Sequence, residues 1–306
     1  MTTLLYTHAA CLQHLPGPGH PESPARLQAV LDALDNDRFA ALDRVEAPLA
    51  TRAQLERVHD AELIDCIAAN APREGFVQVD ADTVMSPASL EAALRAAGAV
   101  CAAVDALIDG TNTRAFCAVR PPGHHATHNA AMGFCLFNNI AVGAAHALAR
   151  GLERVAIVDF DVHHGNGTQD IFWNEPRVLY ASTHQSPLYP GTGATHERGV
   201  GNIVNAPLPP ASSSFAFREA CRNIVLPAVE RFQPQLVMIS AGFDAHYLDP
   251  LANLNLDAED YEWITHELVD IARKHAGGRV VSSLEGGYSL TALRQSTAAH
   301  VGALLD

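Results

Sequence analysis

The sequence predicts an α/β protein built on a mostly parallel sheet with helices on both faces. Two observations carry that reading. From residue 115 onward, short apolar runs alternate with longer stretches of helical periodicity, the pattern of strands joined by crossover helices. Each apolar run then ends abruptly in a polar cluster, and in open parallel sheets ligands bind in the crevice beyond the carboxyl ends of the strands. Residues far apart in sequence are therefore expected to meet in one pocket. The 306 residues suffice for one large domain or two small ones, and with no linker, repeat, charge block or low-complexity tract a single domain over 1–306 is expected.

Taken in order, residues 8–24 are Pro/Gly-rich with three His and read as an ordered loop. Ser23 and Pro24 then start a helix as N-cap and first residue, with Leu27, Val30, Leu31 and Leu34 on its apolar face. A second helix is expected over 60–69, a long surface loop over 70–87, and an Ala-rich helix over 88–109 whose buried stripe runs through Leu90, Leu94, Ala97, Cys101, Val104 and Ile108. Strands are expected at 115–120, 154–160, 178–182, 235–241 and 279–284. Helices are expected at 138–150, 168–173, 214–231, 257–275 and 290–304.

Composition excludes several function classes. No apolar run reaches 18 residues, and the amino terminus lacks a basic start followed by an apolar stretch, so neither a membrane span nor an export signal is indicated and a cytoplasmic location is expected. The balance of 20 Lys and Arg against 34 Asp and Glu gives a net charge of −14, which repels phosphate backbones and anionic lipid. Nucleic acid and membranes are therefore not expected partners. The 6 Cys include no CxxC pair, so neither a cysteine zinc site nor a disulfide framework is signalled.

The richest stretch is Arg154–Gln169, in which Val155–Val158 open into two Asp and two His and close on Gly165-Asn166-Gly167. An Asp-rich solvated turn is the bland alternative. The apolar residues before the acids and the glycines after them argue instead for ligands at the end of a buried strand. Asp159, Asp161 and His163 alternate at period two and would share a face if extended. Asp161 and His163 supply two ligands for a divalent ion, and Asp244, after an apolar strand and a glycine, is the natural third. Such a site lowers the pKa of a bound water to about 7 and polarises a carbonyl. His124 and His125 follow a rigid Pro-Pro-Gly turn and are candidates for proton transfer, with Asp159 and Asn166 nearest to orient them. Tyr288, after Gly286-Gly287, is placed to donate to an oxyanion. The sequon at Asn166 and the Gly191-Thr192-Gly193 half of a dinucleotide fingerprint are discounted.

Five motifs, RPPGHHA (120–126), DFDVHHGNGTQ (159–169), YPGTG (189–193), SAGFDAH (240–246) and EGGY (285–288), with HPESPARL (20–27), together resemble the zinc-dependent histone deacetylase family. The flavour is that of its class II members and their bacterial relatives, the histone deacetylase-like amidohydrolases and acetylpolyamine amidohydrolases. The resemblance implies the arginase/deacetylase fold around a central eight-stranded sheet. It implies zinc, or iron(II), on Asp161, His163 and Asp244, with Tyr288 as oxyanion donor, His125 as general base and acid, and His124 as its electrostatic helper paired to Asp159. It also implies tunnel walls at Gly133, Phe134 and Tyr189 and a rim acid at Asp82. A structural potassium ion is implied at Asp159, Asp161, His163, Ser182 and Thr183.

Two departures matter. Class I members carry Asp where this chain has Asn166, which gives His125 a neutral partner. Leu251 stands where a polyamine-preferring relative has an acid, so an acylated lysine side chain or small acylated amine is favoured over acetylpolyamine. A homo-oligomer is left open. The competing readings are an acetylpolyamine amidohydrolase, a ureohydrolase with two manganese ions, which would need further bridging Asp ligands, and a non-catalytic acyl-lysine binding module, which would need neither the His pair nor Tyr288.

Overall fold

The computed structural model describes residues 3–110 and 112–306; Met1, Thr2 and Thr111, which the expected domain span includes, lie outside them. The chain opens with β1 (Thr3–Thr7), α1 (Ala10–Gln13), α2 (Pro24–Ala33), β2 (Asp43–Glu46), α3 (Arg52–Leu55) and α4 (Ala61–Ala69). A hairpin of β3 (Val77–Gln78) and β4 (Val84–Met85) precedes the long α5 (Ser89–Ile108). The alternating region follows as β5 (Arg114–Cys117), α6 (Asn139–Ala149), β6 (Val155–Asp159), α7 (Asn166–Ile171), β7 (Val178–Gln185) and β8 (Ile203–Leu208). It ends with α8 (Ser214–Ala220), α9 (Leu226–Phe232), β9 (Leu236–Ala241), α10 (Ala258–His275), β10 (Val280–Leu284) and α11 (Leu290–Leu305).

The main sheet has eight strands in the order β2-β1-β5-β10-β9-β6-β7-β8, parallel at every pairing. This is the eight-stranded sheet that the motif resemblance implies. Strands β6, β9 and β10 are buried along their whole length, which explains why they read as largely apolar runs without alternation. Adjacent residues of a strand point to opposite faces. In β5, the Phe116 ring lies 5.6 Å from His300 of α11, while the Cys117 thiol neighbours Cys101 of α5. The helices therefore cover both faces: α5 and α6 pack together on one, and α10 and α11 pack together on the other, with α2 against α11.

Three strands of the main sheet go beyond the expected pattern. β1 (TLLYT) is too short for its period to be told from a helical turn, and β2 (DRVE) is a polar edge strand of the kind natural sheets use to discourage edge-to-edge pairing. β8, at the opposite edge, contains Pro207, a residue that argues against a strand interior and is tolerated at an edge. The expected loops at 8–24 and 70–87 contain α1 and the β3–β4 hairpin. The expected helix 214–231 is divided by a π-helical stretch, Cys221–Val225, just before Pro227, which has no N–H for the regular ladder.

Close packing of α5 against the chain before it depends on one residue. Ala50 N donates to Leu94 O at 2.8 Å and Arg95 Nη1 to Ala47 O at 2.9 Å, which presses residues 47–50 onto the helix. A Cβ on Gly98 would lie 2.6 Å from Ala50 N and 2.8 Å from Leu49 C, both backbone atoms. Gly98→Ala gains roughly 1 kcal/mol of helix propensity, but overpacking typically costs about 1–3 kcal/mol. The variant is expected to unfold at lower urea; a midpoint at or above that of the parent would show that residues 48–50 yield freely.

Candidate active site

Because all eight strands are parallel, their carboxyl ends lie along one edge. β6 stops at Asp159, and the turn that follows places Phe160 and Val162 in the core while turning Asp161 and His163 toward Asp244, which comes four residues after Ser240 of the neighbouring β9. One donor atom from each of Asp161, His163 and Asp244 lies within 4.8 Å of the others. His163 Nδ1 is 3.2 Å from Asp161 Oδ1 and 3.1 Å from Asp244 Oδ2. Backbone donors fix both carboxylates: Gly286 N reaches Asp161 Oδ2 at 2.8 Å and Val162 N reaches Asp244 Oδ1 at 2.9 Å. A Cβ at Gly242 would collide with Asp161, and one at Gly286 with Asp244.

This cluster is electrostatically unresolved by protein alone. One imidazole nitrogen carries at most one proton and cannot satisfy two buried carboxylates. Burial and the Asp161 charge push the Asp244 carboxyl up to about 7; burial opposes charge on His163, but Asp161 and Asp244 outweigh it and hold the imidazole up to about 10. Two carboxylates and an imidazole make a hard-to-borderline donor set that fits a zinc or iron(II) ion with coordination positions left over.

The two histidines before this cluster differ in charge. His124 Nδ1 lies 3.0 Å from Asp159 Oδ2, which also accepts from the Tyr180 hydroxyl at 3.0 Å. Burial opposes its charge, but Asp161 and Asp159 hold His124 up to about 10, so it is an imidazolium. His125 Nδ1 lies 2.8 Å from Asn166 Oδ1, an oxygen that can only accept. The proton therefore sits on Nδ1 and leaves Nε2 with a free lone pair. Burial, then His124 and His163, keep His125 well below the ordinary imidazole range and hence neutral.

A cavity of about 200 Å³ opens onto this floor. His125, His163 and Tyr288 form its base, Phe134, Leu188 and Tyr189 its walls, and Gly133, Asp82 and Leu251 complete the lining. The Tyr189 ring stands edge-on to His125 at 5.1 Å, and Phe134 to Tyr288 at 6.0 Å. A Cβ on Gly133 would come within 2.5 Å of the His125 ring. Asp82 Oδ1 accepts from Gly133 N at 3.0 Å and from the Thr83 hydroxyl at 2.8 Å, while its Oδ2 makes no hydrogen bond among the described residues. Ser182 lies opposite Asp159 in the β6–β7 register, with Thr183 next to it. All the residues singled out from the sequence thus gather at one end of the sheet.

Sequence reasoning missed the groups that hold these loops together. Glu285 Oε2 accepts from Gly123 N at 2.7 Å and His124 N at 3.1 Å, tying the Pro-Pro-Gly-His-His turn to the Gly286–Tyr288 turn. Beneath it, Glu22 is buried between Arg120, at 2.6 Å, and Arg26, at 3.0 Å. Arg26 Nε donates to Gly287 O at 2.6 Å and its guanidinium stacks 4.9 Å from the Tyr288 ring. The Glu22–Arg26 spacing of four at a helix start was the available signal. Burial opposes ionisation of Glu22, but Arg120 holds its carboxyl well below the usual range. Removing one partner of a buried ion cluster typically costs about 3–5 kcal/mol, because the remaining charges stay buried. Glu22→Gln should therefore lower the unfolding free energy by an amount of that order in urea titration; a loss under about 1 kcal/mol, the size of a surface pair, would contradict this.

The model of the histone deacetylase domain matches residues 20–304. A probable deacetylase of Archaeoglobus fulgidus is 39% identical over 95% of this chain and 82% of its own length. A histone deacetylase-like amidohydrolase of Pseudomonas aeruginosa is 40% identical over 94% of this chain and 82% of its own. Among solved structures, the HD domain of HDA15 superposes with a TM-score of 0.94 at 36% identity, covering 99% of this chain and 88% of that one.

Proposed function

The chain belongs to the histone deacetylase family and is a hydrolase of amide bonds, and from that premise we propose a zinc-dependent deacylase that removes acetyl or a related acyl group from an acylated lysine side chain or small acylated amine. The observation that carries this reading is the meeting of three ligand groups, a neutral histidine and a tyrosine at the base of one narrow apolar-walled cavity. Zinc, or iron(II), held by Asp161, His163 and Asp244 would supply a Lewis acid for the amide carbonyl and an acidified water. Phe134 and Tyr189 clasp the methylenes of the entering chain. His125 Nε2 takes the proton from water as general base and returns it to the leaving amine as general acid, with Asn166 keeping the tautomer fixed. The cationic His124 and the Tyr288 hydroxyl favour negative charge developing on the carbonyl oxygen. Asp82, with Oδ2 uncommitted, is suited to accept an N–H of the substrate at the mouth.

A potassium ion would be held by carbonyl oxygens of Asp159, Asp161, His163 and Thr183, an Asp161 carboxylate oxygen and the Ser182 hydroxyl. His184 supports it. Its Nε2 lies 3.0 Å from the Gly193 carbonyl and so carries the proton, which makes Nδ1 the acceptor from Ser182 Oγ at 2.9 Å. The Ser182 oxygen then keeps its lone pairs for a cation. A cytoplasmic location remains the proposed one; among the described residues no helix is long and apolar enough to cross a membrane.

The reading is tested with chelated protein reloaded with zinc. One zinc per chain should restore hydrolysis of acetyllysine peptides, with acetylspermidine turned over more slowly because Leu251 offers its second ammonium no partner. Activity requiring two manganese ions per chain, or a strong polyamine preference, would overturn the assignment. A second outcome concerns acid. His125 acts as base only when neutral, so activity falls as pH drops through its pKa. A carboxylate at position 166 stabilises the imidazolium and raises that pKa. Asn166→Asp should therefore move the acidic limb of the kcat/KM profile to higher pH; an unmoved limb would dissociate Asn166 from the base.

A further inference from the structure

Resting on the deacylase reading, we propose that Asp249 is a positioning residue that locks the mouth residue Leu251 and the oxyanion donor Tyr288 into one unit. Asp249 is 7% exposed and sits in the loop that follows Asp244. Its Oδ1 accepts from Leu251 N at 3.0 Å. The other oxygen, Oδ2, accepts from Tyr288 N at 2.7 Å and Ser289 N at 3.2 Å. One carboxylate thus receives backbone donors from the rim of the cavity and from its base. A carboxylate can accept at both oxygens, whereas an amide would turn an N–H toward an N–H on one side.

The Tyr288 turn has little stiffness of its own. Gly286 and Gly287 precede it, the latter at φ 120°, a conformation that side-chain-bearing residues rarely adopt. Arg26 holds the turn from the inside at Gly287 O, and Asp249 holds it from the mouth side at Tyr288 N. Ser289 then caps α11, accepting from Ala292 N at 3.4 Å, so the segment beyond is fixed. Asp249 does not itself line the cavity and makes no hydrogen bond to the metal ligands among the described residues; its charge is felt at Asp244, but its direct hold on the reacting groups is at the backbone of Tyr288. It also carries the seating of Leu251 to that same backbone.

A purely structural aspartate and a positioning one differ in a double-mutant cycle on the zinc-loaded full chain. With an acetyllysine peptide, Tyr288→Phe is expected to lower kcat by about two orders of magnitude. Asp249→Asn is expected to lower kcat roughly tenfold or more with KM changed by less than about threefold, since small misplacements of a catalytic group are costly. In the Tyr288→Phe background, Asp249→Asn should then lower kcat by less than about twofold, because the hydroxyl it positions is gone. Both variants should retain one zinc per chain. If Asp249→Asn lowers kcat by the same factor in both backgrounds, or leaves the parent kcat unchanged, the proposal is overturned. If Asp249→Asn does not fold, Asp249→Ser, which keeps one acceptor for Tyr288 N, is judged by the same cycle. Failure of the functional reading is separate: a zinc-loaded parent that hydrolyses no acyl-lysine, or an unaffected Tyr288→Phe, sinks both.

Discussion

The site depends on two buried carboxylates, Asp161 and Asp244, set against the single imidazole of His163. Placing two like charges in a low-dielectric interior is costly unless a cation joins them, and one histidine proton is not enough. The fold bears that cost in a specific way. Backbone N–H groups of Val162 and Gly286 hold one oxygen of each carboxylate, and glycines at 242 and 286 leave room that any side chain would take away. The glycine of each motif is thus required by the acid of another. That is why motifs remote in sequence occur together, and why the donor set has the composition and spacing of a divalent site before any ion is considered.

The same charge distribution separates two adjacent histidines. Asp159 and Asp161 keep His124 cationic, while His125 faces an amide oxygen and two other imidazoles and stays neutral. Pairs of titratable groups whose surroundings push their pKa values apart commonly divide acid, base and electrostatic roles between them. Here the division follows from the side chains at 159 and 166, one a carboxylate and one an amide. A neutral partner also fixes the tautomer without pulling the proton into an ion pair, so Nε2 stays available toward the cavity.

The central strands were legible because burial on both faces leaves no alternation to confuse: β6, β9 and β10 are buried throughout and mostly apolar, their few polar residues being small serines or the terminal Asp159. The edges were not. β2 is polar and β8 carries Pro207, since an exposed edge favours residues that resist pairing, and those residues hide a strand from pattern reading. The chemistry-bearing residues were legible for a related reason: Asp161, His163, Asp244 and Tyr288 are polar where an apolar run stops, and they surround the expected crevice. What stayed hidden were residues acting on backbone groups. Glu285 lay inside a motif already noticed and Asp249 two residues before Leu251, yet nothing in their spacing says that their partners are N–H groups of Gly123, His124, Tyr288 and Ser289. A side chain that bonds to backbone leaves no complementary residue type to find.

Those hidden bonds explain how short loops can present a site with little regular structure of their own. Asp161, Asp244, Glu285 and Asp249 each accept from a backbone N–H of a different strand-end loop: Gly286, Val162, Gly123 and Tyr288 in turn. Three of these bonds are buried and the one to Tyr288 is part-buried, and wherever the acid is ionised such a bond is worth more than one between neutral groups. The loops are cross-stitched by acids that also set the field of the site. Moving one loop therefore shifts a carboxylate or strands a buried N–H elsewhere. Precision at the base of the cavity is in this sense a property of the whole strand edge, and a substitution at any of the four acids is expected to be felt at loops it does not belong to.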